Sequence, residues 1–325
     1  MKFELNKDLV PARDLPEYRL RRGGHLNAGF KEVAIAVSGV SRHFGAKAAL
    51  DDVSVFVPRG SVLGLVGENG AGKTTLIKHL LGSLKAQSGT VRVFDRDPVL
   101  DPVGVLGRVG YLSERRDLPG WMRVGEFMRY TQAFYPAWDE QYAGQLLEQF
   151  QLDPAQKIKT LSKGEQAKIG LLTALAYRPD LLFLDEPSSG LDPVVRRDIL
   201  EAIIRVVAEE GRTVLFSSHL LDEVERVANQ VVMLQRGRVV LNGSTEEVRR
   251  GHISAVLAFA EPPSKAPVVA GAYAVAGYGS EWRVLFGGSH LELETAAALI
   301  GARVVEERTP TLDEILVARA GRKGS

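Results

Sequence analysis

The nine residues Gly67, Glu68, Asn69, Gly70, Ala71, Gly72, Lys73, Thr74 and Thr75 constrain this chain's fold more than any other stretch. They match the pattern G-x-x-x-x-G-K-[ST]. Val62–Val66, just before them, reads as a buried strand, and Thr74–Leu81 reads as the first turns of a helix. Glycines between a strand and a helix let the backbone curl until successive N–H groups point inward. The positive end of the helix adds to their field. The result is a cradle for phosphate oxygens. In it Lys73 reaches the β- and γ-phosphates, and the Thr74 hydroxyl ligates Mg²⁺.

At 325 residues, one or two domains and a sizeable core are expected. A formal net charge of +1 makes no global electrostatic case for nucleic acid. The absence of cysteine excludes disulfides and thiolate metal sites and fits a reducing compartment. Residues 1–8 carry charges where a secretory signal needs an apolar run. The best candidate for a membrane span, Ile169–Leu184, is interrupted by Arg178, Pro179 and Asp180. The expectation is a soluble chain that meets a membrane only through another protein.

Residues 1–32 are polar and mixed in charge, with Arg19, Arg21 and Arg22 clustered, and read as an N-terminal extension. From Val33 the pattern turns globular, with strands expected at Val33–Val37, Val53–Val57 and, after the turn at Ser88 and Gly89, Thr90–Phe94. Residues 110–178 form a helical insertion: helical spacing predicts Val124–Phe134, Asp139–Phe150 and Ser162–Ala176. Strands and helices then alternate: strand Leu181–Asp185, helix Pro193–Ala208, strand Thr213–Ser217 and helix Asp222–Ala228. Val231–Gln235 and Val239–Asn242 follow as a hairpin-like pair. Such alternation predicts an α/β domain over residues 33–250 with a mostly parallel, helix-covered sheet. After the proline-rich stretch Glu261–Pro267, a small α+β appendage is expected within residues 251–325. Its strands are Trp282–Phe286 and Arg303–Glu307, its helices Leu291–Ile300 and Thr311–Ala320, and it carries no chemical motif.

Phosphoryl chemistry needs a further Mg²⁺ anchor and a group that orients water. Four apolar residues, Leu181–Leu184, lead into Asp185 and Glu186. Ligands of open α/β sheets bind at this C-terminal end of strands. Asp185 fits the role of holding Mg²⁺, and Glu186 that of polarising the water.

Further motifs carry a family resemblance. Leu161, Ser162, Lys163, Gly164, Glu165 and Gln166 resemble the signature motif of ATP-binding-cassette (ABC) ATPases, usually Leu-Ser-Gly-Gly-Gln. Ser188 to Asp192 resemble that family's D-loop, and His219 its switch histidine. Phe44 stands where the family has an aromatic that stacks on adenine, and Glu114 stands in the Q-loop position. The match covers residues 33–250, with all elements in the family's order. The resemblance implies a phosphate-binding-loop NTPase core with an N-terminal antiparallel β subdomain and a helical insertion. It also implies two cassettes, expected to be a homodimer, joined head to tail, each ATP lying between the phosphate loop of one and the signature of the other. Ser162 and the N–H of Gly164 would then bind the γ-phosphate held by the second copy, His219 would keep Glu186 and water in line, and Asp192 would couple the two sites.

Three departures from the family pattern stand out: Glu114 replaces Gln, Lys163 replaces Gly, and Glu165 replaces Gln. Glu114 still offers oxygen to Mg²⁺ or water. Glu165 would repel phosphate, so it is expected to turn away and cap the helix that Ser162 begins.

The single cassette, the short helical insertion and the run Asp185 to Pro193 resemble the transporter branch, in particular bacterial exporter-type ATPases paired with a separate membrane subunit. That reading implies a cytoplasmic ATPase, peripheral on the inner face of the membrane, that hydrolyses ATP as the nucleotide-binding subunit of a transporter. The segment from Glu114 to Val124, with Trp121 and Met122, would receive the membrane subunit. The alternative is a soluble ABC-class ATPase acting on nucleic acid or the ribosome, supported only by the N-terminal arginines; a regulatory ATP-binding module without turnover is opposed by intact Lys73, Asp185, Glu186 and His219.

Overall fold

The structure is a computed structural model that describes residues 33–320. The N-terminal extension and its arginine cluster lie outside the described residues. The described residues form three β-sheets, the first two interleaved along the chain. Strands β1 (Val33–Phe44), β2 (Lys47–Pro58) and β4 (Ser88–Val93) form an antiparallel sheet in the order β2-β1-β4. The first two are longer than the sequence pattern predicts. A register shift between Val37 and Val40, with Gly39 at φ 60° and Asp52 at φ 54°, breaks the alternation without ending the pairing.

The central sheet has six strands: β5 (Val109–Leu112), β6 (Leu181–Asp185), β7 (Thr213–Ser218), β3 (Val62–Val66), β8 (Gln230–Gln235) and β9 (Arg238–Ser244). The first five, in that spatial order, are parallel, and β9 is antiparallel to β8. Every residue of β3, β6 and β7 is buried, as continuous apolar runs in a helix-covered sheet require. The pleat divides two cores. Leu181 and Phe183 face the antiparallel subdomain and helix α1 (Lys73–Leu80). Leu182 and Leu184 face the opposite layer. That layer includes α4 (Glu140–Gln149), α5 (Lys163–Leu175), α6 (Pro193–Glu210) and α7 (Leu221–Val227). Between β4 and α4 lie α2 (Pro102–Leu106), which no sequence signal marked, and α3 (Val124–Gln132). On α4, Leu146 and Phe150 are buried and Leu147 packs beside them, as the helical spacing predicts.

After α8 (Thr245–Arg250) comes a four-stranded antiparallel sheet, β11-β12-β10-β13. Its strands are β10 (His252–Phe259), β11 (Ala272–Tyr278), β12 (Glu281–Gly287) and β13 (Ala302–Arg308), with α9 (His290–Leu299) packed against β13. Strand β11 was not legible because Ala and Gly fill most of it and carry little strand propensity. The last helix, α10 (Leu312–Ala320), bridges this sheet and the main domain, packing on β11 and β12 as well as on α7 and α8. Its Leu312, Ile315 and Leu316 join the core of the layer that holds α4 to α7. At about 1.5–3 kcal/mol per fully buried aliphatic side chain, this helix ties the C-terminal segment to the main domain. No described helix is long and apolar enough to cross a membrane.

Two buried histidines predict a pH dependence. His79 on α1 and His252 at the start of β10 are both pushed below 6.5, chiefly by desolvation. Each has Nδ1 against a backbone carbonyl, Thr75 O at 2.7 Å and Val248 O at 2.6 Å. Their native pKa values are depressed, so the unfolded chain binds more protons in this range. Their contribution is therefore complete above 6.5 and is lost as pH falls from there through the native values. The surface His290, raised by Glu307 and Glu294, works in the opposite direction and is lost as pH rises. Glu314, lowered from 4.5 to about 2 by Arg308, weakens the fold only at lower pH. The melting temperature should therefore fall between about pH 7 and about pH 5.5, before carboxylates titrate. A flat melting temperature across that window would contradict this account.

Candidate active site

The loop between β3 and α1 fits only glycine at two of its bends. A Cβ on Gly67 would lie 2.4 Å from Leu234 O, and one on Gly72 would lie 2.6 Å from Ala49 O. Both have positive φ, 157° and 115°. The loop is pinned from outside by the β8–β9 turn, whose Gly237 N–H donates to Ala71 O at 2.9 Å. Gly70 and Gly72 wall a cleft of about 310 Å³ together with Glu68, Asn69, Lys73, Thr74 and Thr75. Phe44, Glu114 and Glu186 line the same cleft. Residues from four separate segments thus converge on one space, as the sequence motifs imply.

Lys73 is 6% exposed. Its Nζ donates to Gly67 O at 2.6 Å and stands 2.9 Å from Glu186 Oε1. Glu186, also buried, has its other oxygen, Oε2, 2.6 Å from His219 Nδ1. The backbone of Glu186 is left-handed, at φ 49°, which costs a non-glycine residue about 1–2 kcal/mol. Its N–H donates to Ser217 Oγ at 2.8 Å, and the same hydroxyl donates to Asp185 Oδ1 at 2.8 Å. The end of β7 therefore orients both acids at the end of β6. Asp185 is 1% exposed. Its charge and that of Glu114 add to burial in pushing the Tyr111 phenol up to about 12.

Thr74 and Glu114 line the cleft, whereas Asp185 stands behind its wall against Ser217; a hydroxyl and a carboxylate in one cleft suit a hard cation. No group of three His, Cys, Asp or Glu among the described residues can hold a metal by itself. Thr74, Asp185 and Glu114 are oxygen donors of the kind Mg²⁺ takes, an ion that keeps waters and takes phosphate oxygens from its substrate.

Ser162 and Gly164 do not line the cleft. They open α5, where Ser162 is the N-cap. The Ser162 N–H and hydroxyl donate to Glu165 Oε2, both at 2.7 Å, and Ser162 Oγ accepts from the Glu165 N–H at 3.2 Å. Glu165 therefore folds back to close a capping box. A Cβ on Gly164 would lie 2.9 Å from Val195 Cγ2, so α5 also needs this glycine to pack against α6. Asp192 Oδ1 accepts from the N–H groups of Val194 and Val195 at 3.0 and 3.1 Å, capping the start of α6. Trp121 is 75% exposed, whereas Met122 is in the core.

Sequence reasoning missed Lys47. It follows the Phe44 turn and lines the cleft, with Nζ 3.7 Å from a Cβ built on Gly70. Only the β1–β2 pairing brings it there, so no local motif marks it.

A buried lysine, an acid pair and a glycine loop at the strand ends of a parallel sheet define a phosphate-loop ATPase cassette. The family model described as ABC transporter matches residues 50–189. An uncharacterised ABC transporter ATP-binding protein of Methanocaldococcus jannaschii is 34% identical over 221 residues, covering 66% of this chain and 79% of that one. The daunorubicin/doxorubicin resistance ATP-binding protein of Streptomyces peucetius is 34% identical over 230 residues, 69% of each chain. A solved structure described as the ATP binding subunit of an ABC transporter is 30% identical, with a TM-score of 0.62 over 67% of this chain and 92% of its own. The chain belongs to the ABC transporter ATP-binding protein family, whose members are ATPases.

Proposed function

We propose that this chain is the ATPase subunit of an exporter and works as a head-to-tail pair of cassettes on a separate membrane subunit. The observation that carries this reading is the Lys73–Glu186–His219 constellation at the mouth of the phosphate loop. Lys73 and the loop N–H groups hold the β- and γ-phosphates, and Phe44, 48% exposed on the cleft wall, stacks on adenine. Thr74, Asp185 and Glu114 would hold Mg²⁺, which would supply neutralisation of phosphate charge. Glu186 polarises the attacking water, and His219 holds that carboxylate in line. In the pair, Ser162 and the Gly164 N–H of one copy face the γ-phosphate bound to the other, using the positive end of α5. Closing on ATP and parting on hydrolysis would give a two-state switch.

The membrane subunit would dock beside the helical insertion. There a recess of about 530 Å³ is walled by Leu118, Pro119, Trp121, Met122, Phe127 and Tyr130, with Asp117 at its edge. Trp121 and Tyr130, exposed at 75% and 52%, suit an apolar helix presented by the partner. The chain would then be cytoplasmic and peripheral on the membrane. The drug-resistance relative favours export, and the relatives' transporter names weigh against a nucleic-acid role.

The direct test is recovery of the tagged chain from detergent-solubilised membranes of its own cell, with and without ATP. A co-purifying polytopic membrane protein, lost on Trp121→Asp, is expected. Ribosomes or nucleic acid recovered in its place would overturn the transporter reading.

A further inference from the structure

The left-handed backbone of Glu186 must be held by its surroundings, because a strained conformation persists only where neighbouring contacts over-determine it. The three residues after it are gripped from two sides. From one side comes Arg116, which follows the Glu114 segment and is half-buried. Its Nη2 donates to Pro187 O at 2.8 Å and Ser189 O at 3.2 Å. From the other side comes Glu223 of α7, an acid with 0% exposure. Glu223 Oε2 accepts from Ser188 Oγ and Ser218 Oγ, both at 2.8 Å. Arg196 Nε of α6 stands 3.4 Å from Glu223 Oε1, an ion pair rather than an aligned hydrogen bond.

Neither charge faces the cleft, and neither belongs to the phosphate loop, the acid pair or the switch histidine. A fully buried carboxylate is costly unless its partners require it. Here the partners are two serines, one just past Glu186 and one just before His219. Glu223 thus ties the two residues that share the 2.6 Å contact at Glu186 Oε2 to a common anchor. Arg116 fixes the same segment through its backbone, where the two N–H bonds of one guanidinium nitrogen, Nη2, reach two carbonyls at once.

We propose that Arg116 and Glu223 are positioning residues that clamp Pro187, Ser188 and Ser189, and so hold Glu186 and His219 in the geometry for hydrolysis. The proposal rests on the hydrolytic role of Glu186. Loosening the clamp displaces the carboxylate and leaves the phosphate loop untouched. The loss therefore belongs to kcat and spares KM for ATP.

The test uses the purified full chain, with steady-state ATPase kinetics and melting temperature measured on each variant. Arg116→Ala and Ser188→Ala, the second a small deletion that preserves packing, should each lower kcat about tenfold with KM within about twofold, as expected for lost transition-state geometry alone. Arg116→Lys keeps one charged nitrogen with donors for both carbonyls and should recover part of the loss that Arg116→Ala shows. Glu223→Gln keeps an acceptor for both serines and should lose less than the similarly sized Glu223→Met. Parent kcat in folded Arg116→Ala, Ser188→Ala and their double variant would overturn the clamp. So would a rise in KM that matches the fall in kcat, since the whole cleft would then have loosened. Glu186→Gln is run alongside: its hydrolysis at the parent rate overturns the site assignment itself, while its collapse beside unaffected clamp variants overturns only the clamp.

Discussion

Glu186→Gln should retain ATP affinity and lose hydrolysis by at least about two orders of magnitude, the usual contribution of a positioned general base. The substitution conserves volume in a site that is 4% exposed, so the strand end and the loop after it have no reason to move. What changes is proton affinity and charge. The carboxylate has one oxygen 2.9 Å from Lys73 Nζ and the other 2.6 Å from His219 Nδ1. An amide can accept from only one of these directions, and it cannot draw a proton from water. Lys73 keeps its 2.6 Å bond to Gly67 O and stays available to phosphate. ATP should then drive association of two copies that do not part. Nucleotide binding by fluorescence, phosphate release and gel filtration with ATP would measure all three properties. Hydrolysis at the parental rate would sink the assignment.

Much of this site was legible because its chemistry lies in contiguous runs. The phosphate loop sits between a run of apolar residues and a helix start, and Asp185 and Glu186 end the next fully apolar strand. The Ser162 and Glu165 capping box is a three-residue spacing, so the turn of Glu165 back onto the N-cap follows from sequence. Features that depend on pairing between distant elements were not legible. Lys47 reaches the cleft only through the β1–β2 register, and the grip of Gly237 on Ala71 only through a hairpin at the far edge of the sheet. Glu223 reads in sequence as one acid among Asp222, Glu223 and Glu225 on a short amphipathic helix. Its complete burial is decided by where α7 lands against the β7 end and the segment after β6. The fold shows the same division. Strand β6 was legible to the residue, whereas the docking of α10 on α7 and α8 is a tertiary choice that its own pattern does not encode.

Lys73→Ala should fail in two separable ways, in nucleotide affinity and in stability. A charge-assisted hydrogen bond contributes about 1.5–3 kcal/mol, so ATP affinity should fall by roughly one to two orders of magnitude. The second loss follows from burial. Lys73 and Glu186 are exposed by only 6% and 4%, and removing the cation leaves the carboxylate with only His219 opposite it. Breaking one side of a buried pair costs about 3–5 kcal/mol, whereas replacing both partners costs far less. At about 2–4 °C per kcal/mol for a domain of this size, the single variant should melt several degrees below the parent. Adding Glu186→Gln to Lys73→Ala should restore part of that melting temperature while leaving ATP affinity low. The double-mutant cycle should show a coupling of about 1–3 kcal/mol. Strict additivity in melting would mean that the 2.9 Å contact contributes nothing to stability. Parental ATP affinity in the single variant would remove Lys73 from the phosphate site.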